Sequence, residues 1–261
     1  MKTKHLIEYP ISVLSYNIYY KSMLGIDENF LPKEKARENV KNQLVKISDN
    51  FRFIFGLQEA AVYDKILPEK IYNSKNYVVG KSGDEKIVTA WSKNFILIDT
   101  LTTDFHSGRP IQITLLNSFG IYYLVVNLHA PHETQNFGDY VGNTIVTPYS
   151  NKNYSNELIK IINTKINYFL RNKVFLLIYR VIILGDFNEF EKNTDVNKFN
   201  IKIGNKTLVM KSDINKVKSC CLPKLKYTCD YIFDSFVTPN LILGSMVQPA
   251  SDHISVKAEL I

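Results

Sequence analysis

The sequence predicts an α/β domain in which two β-sheets are layered with helices. Segments rich in β-branched and aromatic residues, bounded by Gly, Pro, Asn or Asp, recur along the whole chain. Only two longer segments carry apolar residues at helical spacing. Many strands with few helices are typical of a layered α/β domain. The 261 residues fit one large domain or two small ones, and no repeat or low-complexity linker divides them.

The predicted strands are short apolar runs that stop at turn-forming residues. The run Val-Ile-Ile-Leu at 181–184, for example, has the continuous apolar character of a strand that is buried on both faces. The clearer strands are expected at 11–18, 51–57, 76–81, 86–92, 95–105, 110–116, 121–129 and 180–187, and the weaker ones at 207–210, 229–233, 241–246 and 254–260.

Helices are predicted at 31–50 and 153–173. Pro32 lies near the start of the first, where its fixed backbone angle suits a first helical turn. The segment 130–152 between the two is long, polar and irregular, as functional loops often are. The apolar residues on one face are Ala36, Val40, Leu44 and Ile47 in the first helix and Leu158, Ile162, Ile166 and Leu170 in the second.

The composition favours a folded intracellular protein, either cytoplasmic or nuclear. Hydrophobic residues make up 45% of the chain, which supports a large core and argues against global disorder. No apolar run reaches the roughly 18 residues of a membrane span. The N-terminal segment lacks a small-residue cleavage site, so no signal peptide is predicted. Cys220, Cys221 and Cys229 form a poor disulfide framework and are expected to be reduced thiols.

The net charge of +7 favours polyanionic partners such as nucleic acid, phosphorylated small molecules or an anionic membrane surface. Most of this charge comes from lysine, and no local run of five or more basic residues occurs. Charge therefore gives weak support to a phosphate-containing substrate and does not identify it.

Several predicted strands run apolar and then end in residues suited to metal or phosphate chemistry. A single acidic residue at a strand end is commonly a cap or a solvated edge. Repetition of the pattern is harder to explain in that way, since ligand sites of α/β sheets collect at strand ends. The polar strand ends are Asn17, Gln58 and Glu59, Asn127 and His129, and Asp186 and Asn188, and the tripeptide Ser-Asp-His at 251–253 precedes the strand 254–260.

These residue types suit metal-assisted hydrolysis of a phosphoester. Glu59, Asp252 and Asn17 offer carboxylate and amide oxygens, which suit Mg²⁺ or Mn²⁺ better than zinc. His129 and His253 exchange protons near neutral pH. Such a set can offset phosphate charge, activate water and protonate a leaving oxygen without a covalent nucleophile. No nucleophile elbow and no P-loop motif occurs, so acyl transfer and nucleoside-triphosphate hydrolysis of those types are not predicted.

The order of the motifs resembles that of the endonuclease/exonuclease/phosphatase superfamily, which includes deoxyribonuclease I. The chain contains "SYN", "LQE", "NLH", "GDFN", "DYI" and "SDH", in that order, between residue 15 and residue 253. Each short motif alone is a weak signal, whereas the ordered set is specific. The resemblance implies one catalytic domain over residues 1–261. It also implies a four-layer α/β sandwich, in which two mixed β-sheets pack face to face with flanking helices.

The resemblance implies a metal site and a phosphate site. Glu59 matches the family's metal-binding glutamate, Asn17 matches the asparagine beside it, and Asp252 matches an aspartate of the same site. Mg²⁺ or Mn²⁺ is the implied cofactor. Asp186 and Asn188 match a pair that contacts the scissile phosphate and its attacking water. Without the other motifs, this pair would predict only an Asx-turn.

The resemblance also implies two histidines, each oriented by an acid. His253 matches a general base or phosphate ligand, and Asp230 matches the aspartate that orients it. His129 matches the histidine proposed to protonate the leaving group in the deoxyribonuclease-like branch, and Glu85 lies where that branch has an orienting glutamate. Arg109 resembles an arginine of the same branch that reaches the substrate phosphate.

The resemblance leaves several substrates open, because the superfamily hydrolyses DNA, RNA, phosphoinositides, sphingomyelin and protein–DNA phosphotyrosyl links. The basic charge and the two histidines favour a metal-dependent phosphodiesterase acting on nucleic acid or a nucleotide. The alternatives are a phosphomonoesterase acting on phosphoinositide or phospholipid head groups, and a non-catalytic member of the fold. The stretch "NLHAPH" departs from the Tyr-x-Pro-Asn stretch of apurinic endonucleases, which argues against that repair role.

Overall fold

Two mixed β-sheets and five α-helices make up the described part of the chain. The computed structural model describes residues 10–27, 29–81, 83–105, 107–132, 154–173, 178–188, 198–213, 218–220, 228–244 and 250–261. The strands are β1 (Ile11–Asn17), β2 (Phe53–Gln58), β3 (Tyr77–Gly80), β4 (Ile87–Trp91), β5 (Ile96–Asp104), β6 (Pro110–Ser118), β7 (Ile121–His129), β8 (Ile178–Asp186), β9 (Lys198–Ile203), β10 (Lys206–Lys211), β11 (Asp230–Asp234), β12 (Ile242–Leu243) and β13 (Val256–Leu260). The helices are α1 (Tyr20–Leu24), α2 (Lys33–Ser48), α3 (Tyr63–Ile66), α4 (Glu69–Ser74) and α5 (Tyr154–Leu170).

The two sheets have their most central strands in parallel pairs. The six-stranded sheet has the order β12-β13-β1-β2-β4-β3, and the seven-stranded sheet has the order β5-β6-β7-β8-β11-β10-β9. β1 runs parallel to β2, and β7 runs parallel to β8, while the other neighbours are antiparallel. The carboxyl ends of these four strands carry the polar residues that the sequence singles out.

The apolar residues of the central strands alternate between two cores. Ile182 and Leu184 of β8 pack between the sheets, whereas Val181 and Ile183 pack against helix α5. Helix α2 covers the outer face of the six-stranded sheet in the same way. The order helix, sheet, sheet, helix confirms the predicted four-layer α/β sandwich. It also explains why the run at 181–184 is apolar throughout, since the strand is buried on both faces.

The predicted strands and the two long helices are present with ends shifted by a few residues, and of the strand predicted at 241–246 the residues 245 and 246 lie outside the described part of the chain. The strand β9 was not predicted, because Lys and Asn alternate with its buried Phe199 and Ile201 and weaken the strand signal. The short helices α1, α3 and α4 were not predicted either. Of the expected loop 130–152, only residues 130–132 fall within the described part of the chain.

Two glycines allow close packing beneath the polar strand ends. A Cβ atom at Gly185, whose φ is 150°, would lie 2.0 Å from the carbonyl oxygen of Leu128. A Cβ atom at Gly56 would lie 2.1 Å from a methyl carbon of Leu184. Glycine is therefore required where β7 approaches β8 and where the two sheets meet. Gly185 immediately precedes Asp186, so this close approach lies directly beneath the candidate site.

The cysteines differ from the expectation of three reduced thiols. Cys229 is buried and forms no disulfide, Cys220 is disulfide-bonded, and Cys221 lies outside the described residues. The prediction is therefore wrong for Cys220. Among the described helices, none has the length and apolar character needed to cross a membrane.

Candidate active site

Three neighbouring strands place His129, Asp186 and Asp230 side by side. Asp186 at the end of β8 is the register partner of His129 in β7 and of Asp230 in β11. Leu184, two residues before Asp186, faces the other sheet, so the Asp186 side chain points the same way. Strand pairing thus brings together three residues that are far apart in the sequence.

Asp186 is the buried centre of the site. Its Oδ2 atom accepts a hydrogen bond from Asn17 Nδ2 at 2.9 Å, which links the two sheets. The same oxygen lies 3.5 Å from His129 Nε2 and 3.7 Å from His253 Nε2. Its Oδ1 atom accepts from the backbone N–H of Asn188 at 2.8 Å. One carboxylate therefore faces both histidines, and its side chain is only 1% exposed.

His253 is held by an aspartate and a serine. Its Nδ1 lies 2.8 Å from Asp230 Oδ2, as the resemblance implied. Its backbone N–H donates to Ser251 Oγ at 3.0 Å, and the Ser251 hydroxyl donates to the carbonyl oxygen of Asn17 at 2.8 Å. Ser251 therefore ties the Ser-Asp-His tripeptide to the end of β1. Because Nδ1 is occupied by Asp230, Nε2 is the ring nitrogen that faces Asp186.

His129 has an acid and a cation at the same ring nitrogen. Its Nδ1 lies 2.9 Å from Glu85 Oε2 and 2.8 Å from Arg109 Nη1. Nδ1 carries either a proton, which it donates to Glu85, or a lone pair, which accepts from Arg109. Arg109 Nε also lies 3.7 Å from Glu85 Oε1, so the three side chains form one charged cluster. Whether a proton sits on Nδ1 thus decides which of the two partners forms a hydrogen bond with the ring.

Glu59 and Asp252 are the more accessible carboxylates of the site. Their side chains are 12% and 33% exposed, whereas that of Asp186 is 1% exposed. Glu59 follows β2 with a left-handed φ of 53°. Residues other than glycine rarely adopt this conformation, and those that do are often found at functional sites. Glu59 Oε1 lies 3.3 Å from Asn17 Nδ2, and Asp252 Oδ1 lies 4.0 Å from His253 Nε2.

Two groups of side chains bear on metal binding. Glu59, Asp252 and Asn17, the predicted ligands, offer the oxygen donors that Mg²⁺ and Mn²⁺ prefer, and their role as ligands stays a prediction. Asp186, Asp230 and His253 bring one ligand atom each to within 4.8 Å of one another and could hold a metal ion. Asp230 Oδ1 is buried and makes no hydrogen bond to a described residue, so it has a free coordinating atom. The second group was not predicted as a metal site from the sequence.

Asn188 adopts a left-handed φ of 50°, and its side chain holds the backbone of the neighbouring strand end. Its Nδ2 donates to the carbonyl oxygen of Ala130 at 2.5 Å. The hydrogen bond from its N–H to Asp186 Oδ1 closes an Asx-type turn. The two residues therefore form the Asx-turn that was the simpler alternative. They do not form only a turn, because the Asp186 carboxylate also faces both histidines. A contact between Asn188 and a phosphate stays a prediction.

The pKa values of the buried groups favour a charged pair of His253 and Asp186. Burial opposes the charge of His253, but the carboxylates of Asp230 and Asp186 raise its pKa well above the ordinary value. Burial also opposes ionisation of Asp186, yet His253, His129 and the Asn17 amide keep its pKa below the ordinary value. Burial raises the pKa of Asp230 to about 6 and also raises that of Asp252. The Glu85 carboxylate, although partly buried, has a lowered pKa because of His129.

Gln58 and Asn127 lie beneath the site and join the two sheets. Gln58 Nε2 donates to Asn127 Oδ1 at 2.7 Å, and Asn127 Nδ2 donates to the carbonyl oxygen of Val88 at 2.9 Å. Sequence reasoning marked both as polar strand ends without a role. It missed the positioning contacts of Ser219 and Ser251, because a single serine carries no signal of its own. Ser219 Oγ accepts the backbone N–H of Asp230 at 3.0 Å.

Solved structures with the same architecture match the chain from end to end. TDP2 from Caenorhabditis elegans matches with a TM-score of 0.62 and 17% identity, covering 100% of this chain and 77% of that one. An endonuclease/exonuclease/phosphatase from Bacteroides vulgatus matches with a TM-score of 0.62 and 15% identity, covering 97% and 99%. The chain has the endonuclease/exonuclease/phosphatase fold. TDP2 from D. rerio, solved with a single-stranded DNA product, matches at 0.59 and 13% identity, covering 97% and 99%. No family profile and no curated protein matches the sequence of this member of the fold.

Proposed function

We propose that this protein is a divalent-metal-dependent phosphodiesterase that hydrolyses nucleic acid or a nucleotide. The observation that supports this most strongly is that two histidines, each in contact with an acidic residue through Nδ1, face the same carboxylate through Nε2. His129 and His253 lie 3.5 Å and 3.7 Å from Asp186 Oδ2, and Glu85 and Asp230 lie behind them. Hydrolysis of a phosphodiester needs one group that takes a proton and another that gives one, and two such histidines meet both needs.

The water-activating side of the site is assigned to His253. Its Nε2 faces the buried carboxylate of Asp186, and Asp230 fixes the ring through Nδ1. In this proposal, the neutral form of His253, which is populated above its raised pKa, takes the proton of the attacking water at Nε2 while Asp186 orients that water. Asp230 stabilises the positive ring that forms and does not itself contact the substrate.

The leaving-group side is assigned to His129. Its Nε2 points towards Asp186 and Glu59, at 3.5 Å and 3.8 Å, and is the ring nitrogen that would give a proton to the departing oxygen. Before this transfer, Glu85 stabilises the protonated ring through Nδ1. Arg109, already within this cluster, carries the positive charge that would bind a non-bridging phosphate oxygen.

A bound Mg²⁺ or Mn²⁺ would neutralise phosphate charge and lower the pKa of a coordinated water. Glu59, Asp252 and Asn17 are the residues proposed to hold it, because all three offer oxygen ligands and the first two are the more accessible carboxylates of the site. The set of Asp186, Asp230 and His253 is the alternative position for a metal ion.

Nucleic acid is favoured as the substrate by the net charge of +7 and by the two histidines. TDP2 from D. rerio, which shares the fold, was solved with a single-stranded DNA product. A polynucleotide substrate predicts activity that falls steeply with added salt, whereas a small phosphoester predicts a shallow dependence.

A substrate panel tests the proposal. Plasmid DNA, single-stranded DNA, RNA, cyclic dinucleotides and phosphoinositides are incubated with Mg²⁺ or with a chelator. We expect oligonucleotide or nucleotide products that appear only with Mg²⁺. His253→Ala should lose nearly all turnover while it keeps its circular dichroism spectrum, and His132→Ala serves as the matched histidine control. Release of inorganic phosphate from a phosphoinositide alone would point to the phosphomonoesterase alternative, and turnover on no substrate to a non-catalytic member of the fold.

A further inference from the structure

Five residues form a tyrosine–lysine strip on the helix-covered side of the six-stranded sheet. The rings of Tyr63 and Tyr77 lie 6.0 Å apart, and the rings of Tyr77 and Tyr72 also lie 6.0 Å apart. Lys75 Nζ lies 4.4 Å from the centre of the Tyr72 ring and 5.9 Å from that of Tyr77. Lys86 Nζ lies 5.6 Å from the centre of the Tyr63 ring. The strip therefore holds three neighbouring rings, with one ammonium group beside Tyr63 and another beside both Tyr72 and Tyr77.

The strip begins at the candidate active site. Lys86 directly follows Glu85, whose carboxylate contacts His129. The backbone N–H of Ala60, the residue after Glu59, donates to the carbonyl oxygen of Lys86 at 2.7 Å. A chain that leaves the site between Glu59 and Glu85 would meet Lys86 and the Tyr63 ring first.

The two lysines of the strip differ from their neighbours in charge pairing. Lys65, Lys70 and Lys81 each form an ion pair with an aspartate. Lys75 and Lys86 make no ion pair with a carboxylate of any described residue. Lys75 is exposed, and its only described contacts are with the rings, which compete weakly with an anion. Lys86 is half-buried and donates a hydrogen bond to the carbonyl oxygen of Ala61 at 3.3 Å, but its charge is not neutralised by a described carboxylate.

The three tyrosines of the strip have ring and hydroxyl groups that are not fully used in packing the protein. Tyr63 and Tyr77 are half-buried and rest against the apolar core, which fixes their rings in place. Tyr72 is 37% exposed, and the hydroxyl groups of all three make no hydrogen bond to a described residue. Packing against the core accounts for the positions of the Tyr63 and Tyr77 rings. It does not account for the exposed ring of Tyr72, beside which Lys75 forms no ion pair with a described residue.

We propose that the tyrosine–lysine strip binds the single-stranded nucleic-acid segment that flanks the bond to be cleaved. This inference rests on the proposed function and assigns its substrate class. Aromatic rings that stack on bases, interleaved with cations that contact phosphates, are the chemistry by which proteins hold single strands without reading their sequence. Fixed rings lower the entropic cost of such binding.

Binding without cleavage provides the test. The dissociation constants of fluorescent single-stranded oligonucleotides of about 4, 8 and 16 nucleotides are measured by fluorescence anisotropy in chelator. The test variant is Tyr72→Ala with Lys75→Ala. The matched control is Tyr168→Ala with Arg171→Ala, because Arg171 lies 4.0 Å from the centre of the exposed Tyr168 ring on helix α5, in the other layer of helices.

The test variant should bind the longest oligonucleotide at least about tenfold more weakly than the wild type, and the control should bind as the wild type does. Lys75→Gln alone, which changes an exposed side chain and keeps the fold, should reduce the slope of log Kd against log salt by about 0.7. Equal affinity of the two double variants, or wild-type affinity that does not rise with oligonucleotide length, would overturn the strip.

The outcome separates the strip from the proposed function. If the wild type cleaves DNA or RNA but the two double variants bind oligonucleotides with equal affinity, the binding role of the strip is wrong and the phosphodiesterase proposal still stands. If the wild type binds oligonucleotides tightly and in a length-dependent way, the test variant loses this binding and no substrate is cleaved, the binding role of the strip is supported and the catalytic proposal is wrong. If the test variant lost binding to anionic lipid vesicles but bound oligonucleotides as the wild type does, the proposal that the strip binds nucleic acid would also be wrong.

Discussion

His129 and Asp186 are register partners on neighbouring strands, and Nε2 of the histidine lies 3.5 Å from Oδ2 of the aspartate. The contact arises from the parallel pairing of β7 and β8, so its geometry is set by backbone hydrogen bonds and not by flexible loops. On the other side of Asp186, strand β11 supplies Asp230, which holds His253. Strand β7 thus positions His129 directly, and strand β11 positions His253 through Asp230, so that both histidines face one buried carboxylate, as preorganised catalysis requires.

Asp230→Asn should move the pH dependence of the reaction to lower pH. The carboxylate of Asp230 helps to raise the pKa of His253 against the effect of burial, so its removal lowers that pKa. If His253 acts as a base, the rising limb of kcat/KM against pH should shift down by about one unit or more. We also expect kcat to fall roughly tenfold to a hundredfold. An unshifted limb would show that His253 is not the base.

The stability of the metal-free protein should decrease as the pH rises above neutrality. The pKa of His253 in the folded protein lies above the unfolded value of about 6.5, so its protonated form stabilises the fold. This contribution is fully present below about pH 6.5 and is lost as the pH rises through the folded pKa. Urea unfolding in chelator at several pH values measures it. His253→Gln should flatten the decrease, and an unchanged slope would contradict the shift.

Glu59→Gln should weaken the dependence on Mg²⁺. An amide oxygen is a poorer ligand than a carboxylate for a hard divalent cation, so half-maximal activity should need at least about tenfold more Mg²⁺. The matched control is Glu69→Gln, a change at an exposed position in the first turn of helix α4. If the two variants gave the same Mg²⁺ titration curve as the wild type, Glu59 would not be a metal ligand.

Gly185→Ala should destabilise the fold strongly. A Cβ atom there would lie 2.0 Å from the carbonyl oxygen of Leu128, and a φ of 150° is unfavourable for alanine. We expect a loss of about 3 kcal/mol or more in the free energy of unfolding, measured by urea denaturation. Gly204→Ala is the control, since its φ is 57° but its Cβ would meet no atom within 4 Å, and it should cost about 1 kcal/mol. Equal losses would show that the close approach of β7 and β8 does not require glycine.

The grouping of the candidate site residues could be predicted from the sequence because their motifs are local and their order along the chain is specific, whereas their catalytic roles stay predictions. "GDFN" and "SDH" each place a charged residue at a strand boundary, and the resemblance supplied the acid–histidine pairs. Their register could not be predicted, since it depends on β8 lying between β7 and β11, which are distant in the sequence. The same limit applies to the hydrogen bond from Asn188 to the carbonyl oxygen of Ala130, which depends on the path of two chain segments.

The central claim is that Asp186 joins two histidines in one phosphodiesterase site, and kcat of Asp186→Asn with Mg²⁺ tests it most directly. Asparagine has nearly the same shape, so the fold should be kept, while the negative charge facing His129 and His253 is lost. We predict that kcat on the substrate identified by the panel falls by roughly 10³-fold, with an unchanged circular dichroism spectrum. A folded variant with kcat within about threefold of the wild-type value would contradict the claim, because Asp186 would then not take part in the reaction.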